Sequence, residues 1–199
     1  MNYYYRLGSN LYVNITNLCH CDCLFCIRGR TNSVGDAESL WLSHEPSLQE
    51  LMDAFDNRKK EHKEAIGEVV FCGYGEPLER ADVACLLARH IKNSFSHPIR
   101  LNTNGLVGLI EPSFELGRLS VFDRVSISLN ADTSEEYLRI TRPSFGQGSF
   151  EAMLEFAKTV SEITNVQFTV VETLEPLRQK RCEGIAEKLG IPLVVRSLM

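Results

Sequence analysis

Cys19, Cys23 and Cys26 stand at C-x3-C-x2-C spacing in one short stretch of this 199-residue chain. Three thiolates from one tight loop can hold three irons of a [4Fe–4S] cluster and leave the fourth iron open. An iron without a protein ligand can bind a further molecule, so such a cluster can do chemistry as well as carry electrons. Cys21 lies among these three, and Cys72, Cys85 and Cys182 complete a set of seven. Four cysteines within eight residues cannot staple distant segments, and seven is odd. Metal binding in a reducing cytoplasm therefore fits better than a disulfide framework. Two rivals stay open on the cysteines alone. One is a structural zinc site with Cys21 as fourth ligand, although zinc sites usually draw on two separated pairs. The other is an electron-transfer protein, which would need four cluster ligands. Ligands at i, i+2 and i+4 would crowd one cluster, so Cys21 reads as a spectator.

A second group is Phe71-Cys-Gly-Tyr-Gly-Glu-Pro77. Glycines at a strand end let a ligand approach the backbone closely. Glu76 could accept from an ammonium group, or simply sit near a helix start.

The elements that must position these residues alternate between strand and helix. Leu11-Tyr-Val-Asn-Ile-Thr16 reads as a strand leading into the cysteines, with residues 3–5 as an optional short edge strand. Further strands are expected at 68–72, 99–102, 121–129, 166–171 and 192–196. Ser47-x-x-Glu50 is a capping box that opens a helix. Helices are also expected around Val83–Ile91, at 111–119, from Glu135, from Phe150, and at 175–189 with Gly190 as C-cap. Six such units imply an α/β fold with a parallel curved sheet, two units short of an eight-fold barrel. A partial (β/α)6 barrel forming one domain over 1–199 is the expected architecture. Ligands in such folds sit at the C-terminal strand ends, where Cys19, Gly73, Asn104, Ser128 and Asn130 all fall.

The cysteine spacing together with Gly73-Tyr-Gly-Glu76 resembles the radical S-adenosylmethionine (SAM) superfamily, through essentially the whole chain. The resemblance implies that Cys19, Cys23 and Cys26 hold the cluster and that Phe25 packs near the adenine. It implies that Gly73, Tyr74, Gly75 and Glu76 hold the methionine amino group. Asn102-Thr103-Asn104-Gly105 is similar to the family's third-strand motif. Ser126-Ile-Ser128-Leu-Asn130-Ala131 is similar to its fourth-strand motif along the ribose and carboxylate, with Asn130 where Asp is usual. Residues 166–172 lack the family's adenine-side glycine pattern. Within the superfamily, Leu11–Asn17, Cys26-Ile-Arg28, Leu40-Trp-Leu42, Glu45-Pro46 and an end at the sixth strand are most similar to the small TatD-associated proteins. The implied activity is reductive cleavage of SAM to a 5′-deoxyadenosyl radical that abstracts hydrogen from a substrate. The implied partners are a flavodoxin or ferredoxin donor and a bulky or macromolecular substrate. Oxygen sensitivity follows from an exposed cluster.

The remaining features narrow this little. Residues 29–46 are long for a connection. They could cover the cavity mouth and bind substrate, with Arg28 and Trp41, or pack onto the barrel. Arg142 could bind a substrate anion or be a solvated surface group. Cys72, Cys85 and Cys182 read as packing thiols, and His20, His62, His90 and His97 as surface residues. The net charge of −5, with no basic block, gives no support to nucleic-acid binding. No apolar run suggests a membrane span, and the first residues lack a signal-peptide layout.

Overall fold

The computed structural model describes residues 3–31, 33–61 and 66–197. His62 lies outside them. Seven strands form one sheet in sequence order: β1 (Tyr4–Leu7), β2 (Asn10–Val13), β3 (Val69–Phe71), β4 (Ile99–Thr103), β5 (Arg124–Ser128), β6 (Asn165–Val171) and β7 (Leu193–Arg196). β1 pairs antiparallel with β2, and every later pair is parallel. Among the described residues β7 does not pair back to β1, so the curved sheet stays open and is not a closed barrel.

The helices are α1 (Leu48–Glu61), α2 (Ala81–Ser94), α3 (Val107–Ile110), α4 (Ser134–Thr141), α5 (Ser149–Ser161) and α6 (Pro176–Leu189). Ser47 and Glu50 close the expected capping box ahead of α1: the Glu50 amide donates to Ser47 Oγ (3.2 Å), and the Ser47 amide to Glu50 Oε2 (2.8 Å). Gly190 ends α6 in the left-handed region, φ 66°. One core of buried apolar side chains runs from Tyr4 and Leu11 through Phe71, Leu101 and Phe168 to Ile191.

The helix expected at 111–119 is not there. α3 ends at Ile110, and a 3-10 turn follows only at Leu116–Val121. The cause is Pro112: the residue before a proline is pushed out of the α region, and Glu111 sits at φ −137°, ψ 86°.

β4 shows how the sheet divides its side chains. Ile99, Leu101 and Thr103 are buried on one face, while Arg100 and Asn102 are half-buried on the other. The polar face forms a row in register: Asn102 opposite Ser126, and Ser126 opposite Gln167, with Ser128 opposite Thr169 one step on.

Residues 29–46 pack along the β1–β2 side. Val34, Ala37 and Leu40 join Tyr5 and Tyr74 in a second small core. Asn17 Nδ2 donates to Leu42 O (2.7 Å) and Asn17 Oδ1 accepts from the Leu42 amide (3.0 Å), which ties the segment to the end of the first strand unit. Of the two expectations for this segment, packing is what its described residues do.

Candidate active site

A cavity of about 280 Å³ opens at the C-terminal ends of the parallel strands. Its wall contains Cys19, Cys23 and Cys26 with Phe25, then Gly73, Gly75 and Glu76, then Thr103 and Asn104, and finally Ser128 and Asn130.

The loop carrying the cysteines is stitched across the top of the sheet. On one side the Gly75 amide donates to Thr16 O (3.1 Å) and the Glu76 amide to Leu18 O (2.8 Å). On the other side the Asp22 amide donates to Thr141 O (3.0 Å), the Leu24 amide to Ile140 O (2.9 Å), and Cys21 forms a bridge with Pro143. A helix leaves its last carbonyls without internal partners, and here the cysteine loop satisfies those of α4. Arg28 braces the loop from within. Its guanidinium donates to Asn17 O (3.2 Å) and Cys21 O (3.3 Å) and lies against Cys26.

The four clustered thiols are not equivalent. The Cys21 thiol lies beside Cys19 and Cys23, whose proximity pushes its pKa up, and burial adds to the rise. The same proximity holds Cys19 down to about 6 and lowers Cys23 as well. The cluster thus favours the thiol at Cys21 and the thiolate, the form that binds metal, at its neighbours. Among the described residues the thiols are not gathered round one metal-sized centre.

The glycine turn also packs tightly against the protein itself. A Cβ on Gly75 would come within 2.4 Å of Thr16 O and 2.5 Å of Leu18 O, and one on Gly73 within 1.9 Å of Asn14 Oδ1. These glycines admit the protein's own neighbouring backbone and side chain, which locks the turn to the cysteine loop. Tyr74 turns away from the cavity into the second core, where its hydroxyl donates to Thr31 O. Trp41 lies edge-on to Tyr74, at 5.0 Å, and also off the cavity. Arg142 is outside the cavity as well. It caps α4 at φ 47° and pairs with Asp22 at 3.5 Å.

Glu76 is 5 % exposed, and its oxygens accept from Thr103 Oγ1 (2.7 Å) and from the amides of Asn104 (2.7 Å) and Leu78 (3.0 Å). Among the described residues no basic side chain pairs with it. Burial first, and then the Cys19 charge, push its carboxyl up to about 8. Thr103 and Asn104 are likewise engaged inside the protein: Thr103 Oγ1 accepts from the Gly105 amide (3.0 Å), and Asn104 Oδ1 from the Leu106 amide (3.0 Å).

Asn130 is different. It sits at φ 55°, is 2 % exposed, and its Oδ1 is buried without a hydrogen-bond partner while the residue lines the cavity. Asparagine tolerates this left-handed backbone. A buried acceptor without a donor is costly, so the atom is suited to a ligand hydroxyl or amine.

Sequence reasoning missed the rest of the wall. Cys72, Arg100, Gln167, Thr169 and Arg196 also line the cavity, beside Asn102 and Ser126 of the two strand motifs. The signal was present as polar residues at period two: Arg100 two before Asn102, and Gln167-x-Thr169 within a run read only as a strand. The donors and acceptors fit the expected groups in kind, though the thiols are not gathered for metal: cysteines for iron, a buried carboxyl without a cation, and an orphaned acceptor.

The comparisons with known proteins agree. The family profile described as "Radical SAM superfamily" matches residues 13–174. Among curated proteins, the "Probable dual-specificity RNA methyltransferase RlmN" of Dictyoglomus turgidum is 30 % identical over 153 residues, 76 % of this chain and 42 % of that protein. Among solved structures, "Native anSMEcpe with bound AdoMet" superposes with a TM-score of 0.61 at 18 % identity. "Native anSMEcpe with bound AdoMet and Kp18Cys peptide" gives 0.61 at 17 %. Each superposition covers 94 % of this chain and 50 % of the other, so the chain spans about half the length of these proteins. With the cysteine loop, the strand-end cavity and the profile match in agreement, this chain belongs to the radical SAM superfamily.

Proposed function

We propose that the chain is a radical SAM enzyme whose reaction takes place in the strand-end cavity. The observation that carries this reading is the composition of one wall: three cysteines, a buried carboxyl without a cation, and an orphaned buried acceptor. Cys19, Cys23 and Cys26 are the iron ligands in this reading, and Cys21 is the thiol beside them. Bound there, a [4Fe–4S] cluster with SAM supplies a 5′-deoxyadenosyl radical that abstracts hydrogen from substrate. Glu76 and the backbone of Gly73, Tyr74 and Gly75 receive the methionine ammonium, whose charge would bring the raised Glu76 carboxyl back down. Asn130 Oδ1 accepts from a ribose hydroxyl, Ser128 flanks it, and Phe25 packs against the adenine. Thr103 and Asn104 act from behind by holding Glu76 in place.

An electron donor of the flavodoxin or ferredoxin type is required, and a reducing cytoplasm suits both the thiols and an oxygen-sensitive cluster. Among the described residues no helix is long and apolar enough to cross a membrane. A bulky or macromolecular substrate suits the open sheet edge. The names of the relatives lend support: one was solved with a peptide, and the other is called an RNA methyltransferase. The net charge of −5 gives no support to nucleic acid as that partner. The short motifs around Leu11, Arg28 and Trp41 favour the small TatD-associated group, with residues 1–199 as one catalytic core.

The test is anaerobic reconstitution with iron and sulfide, followed by dithionite and SAM, with 5′-deoxyadenosine as the readout. Nucleoside formation that is lost in Cys19→Ala, Cys23→Ala and Cys26→Ala but kept in Cys21→Ser is the expected result. Zinc binding that needs Cys21, with no cluster formed, would replace this reading with that of a metal-stabilised adaptor.

A further inference from the structure

Two arginines line the cavity, and only one of them is neutralised. Arg100 donates to Glu68 through Nε (3.1 and 3.2 Å) and Nη2 (2.9 Å), and to Asn102 Oδ1 through Nη1 (2.8 Å). Arg196, on β7, reaches the same cavity, and its guanidinium has no hydrogen bond or ion pair among the described residues. Arg196 is exposed on β7 and shares the cavity wall with Cys72 and Cys23. The surface between Arg196 and β4 is polar and uncharged: Gln167 Nε2 donates to Ser126 Oγ (2.9 Å), and Asn102 stands beside them in register. β7 pairs only with β6 among the described residues.

We propose that Arg196 anchors a carboxylate or phosphate of a second molecule, the substrate, that binds in the cavity beside SAM. This rests on the proposed function and specifies its substrate class as anionic. A guanidinium offers a planar pair of donors that matches either group, and at the mouth of a cavity such a charge-assisted pair is strong. The groups assigned to SAM, Glu76 and Asn130, stand at the tips of β3 and β5. Arg196 stands two strands beyond β5, across the row of neutral polar side chains, and so apart from the groups assigned to SAM.

The probes are inorganic phosphate and acetate, titrated into the reconstituted protein with and without saturating SAM. Phosphate is followed by phosphorus NMR line broadening, and acetate by ligand-observed proton NMR. The expected result is saturable binding of at least one anion in the presence of SAM. Arg196→Gln should weaken it about tenfold or more, and Arg196→Lys should weaken it less. SAM affinity, measured by equilibrium dialysis, should be unchanged in Arg196→Gln. Equal anion binding by wild type and Arg196→Gln would mean an adventitious ion only and overturn the proposal. So would the absence of binding by either anion. Displacement of phosphate by SAM, with SAM affinity lost in Arg196→Gln, would assign the seat to the methionine carboxylate and also overturn it. If no cluster forms and SAM does not bind at all, the radical SAM reading fails separately, and the titration without SAM still reports on Arg196.

Discussion

The two flanks of the cavity are built on opposite terms. On the β3–β4 flank nearly every polar group is engaged within the protein: Glu76 with Thr103, Asn104 and Leu78, and Gly75 with Thr16. On the β5–β7 flank Asn130 Oδ1 is orphaned and the Arg196 guanidinium has no partner among the described residues. The family-like motif residues thus act largely as a frame. Groups free to bind stand where the motif is weak or absent. A rigid frame beside a receptive wall is what preorganised binding needs, because the cost of ordering the frame is met during folding.

Gly75→Ala should break this contrast most severely. Its Cβ would strike two backbone carbonyls, which cannot swing aside as a side-chain tip can. Overpacking of this kind costs ~3 kcal/mol or more. Guanidinium denaturation should show that loss, and iron retention after reconstitution should fall with it because the turn holds the cysteine loop.

A smaller effect is expected from Asp132→Asn on the other flank. The Asp132 side chain is fully covered and pairs with Arg178 (2.7 Å) and Arg181 (3.2 Å), which fastens α6 beside the Asn130 turn. Both arginines are partly exposed, so solvent screening reduces the loss to ~1–2 kcal/mol. Thermal unfolding would register it, while iron binding should stay unchanged.

Glu76→Gln sharpens the comparison through pH. A carboxyl raised to about 8 binds a proton in the folded protein that the unfolded chain has already released, so stability without ligand falls as pH rises from about 4.5 to 8. The substitution should flatten that slope in melts across the interval. An unchanged slope would show that Glu76 is not the group responsible.

The smallest change is expected from Arg142→Gly. Arginine at φ 47° is strained, and glycine removes the strain at the cost of a surface pair with Asp22 that contributes little. A gain of ~0.5 kcal/mol is expected, with no change in iron binding.

Much of the frame was legible in the sequence. The cysteine spacing, the strand–helix alternation, the Ser47–Glu50 box and the Gly190 cap are local patterns, and local patterns survive in one dimension. The helix boundary near Pro112 was readable in principle, since proline constrains the residue before it. The receptive wall was hidden because it depends on register. Asn102, Ser126 and Gln167 become one row only when three strands separated by whole helices align. Nor could the purpose of Gly73 and Gly75 be read locally, because what crowds them comes from residues 14–18. Arg100 and Arg196 are the same residue type, and only the placement of Glu68 distinguishes their roles.

The attachment of the cysteine loop to the end of α4 also bears on the order of assembly. Asp22 binds Thr141, 119 positions later (141 − 22), and Leu24 binds Ile140. A chain emerging from the N-terminus presents its cysteines long before the helix that fastens them exists, and contacts of such long sequence separation form slowly. Until α4 folds, the thiols remain an open strap that any metal in the cell can reach. If the loop holds iron as proposed, its loading would depend on timing as well as affinity.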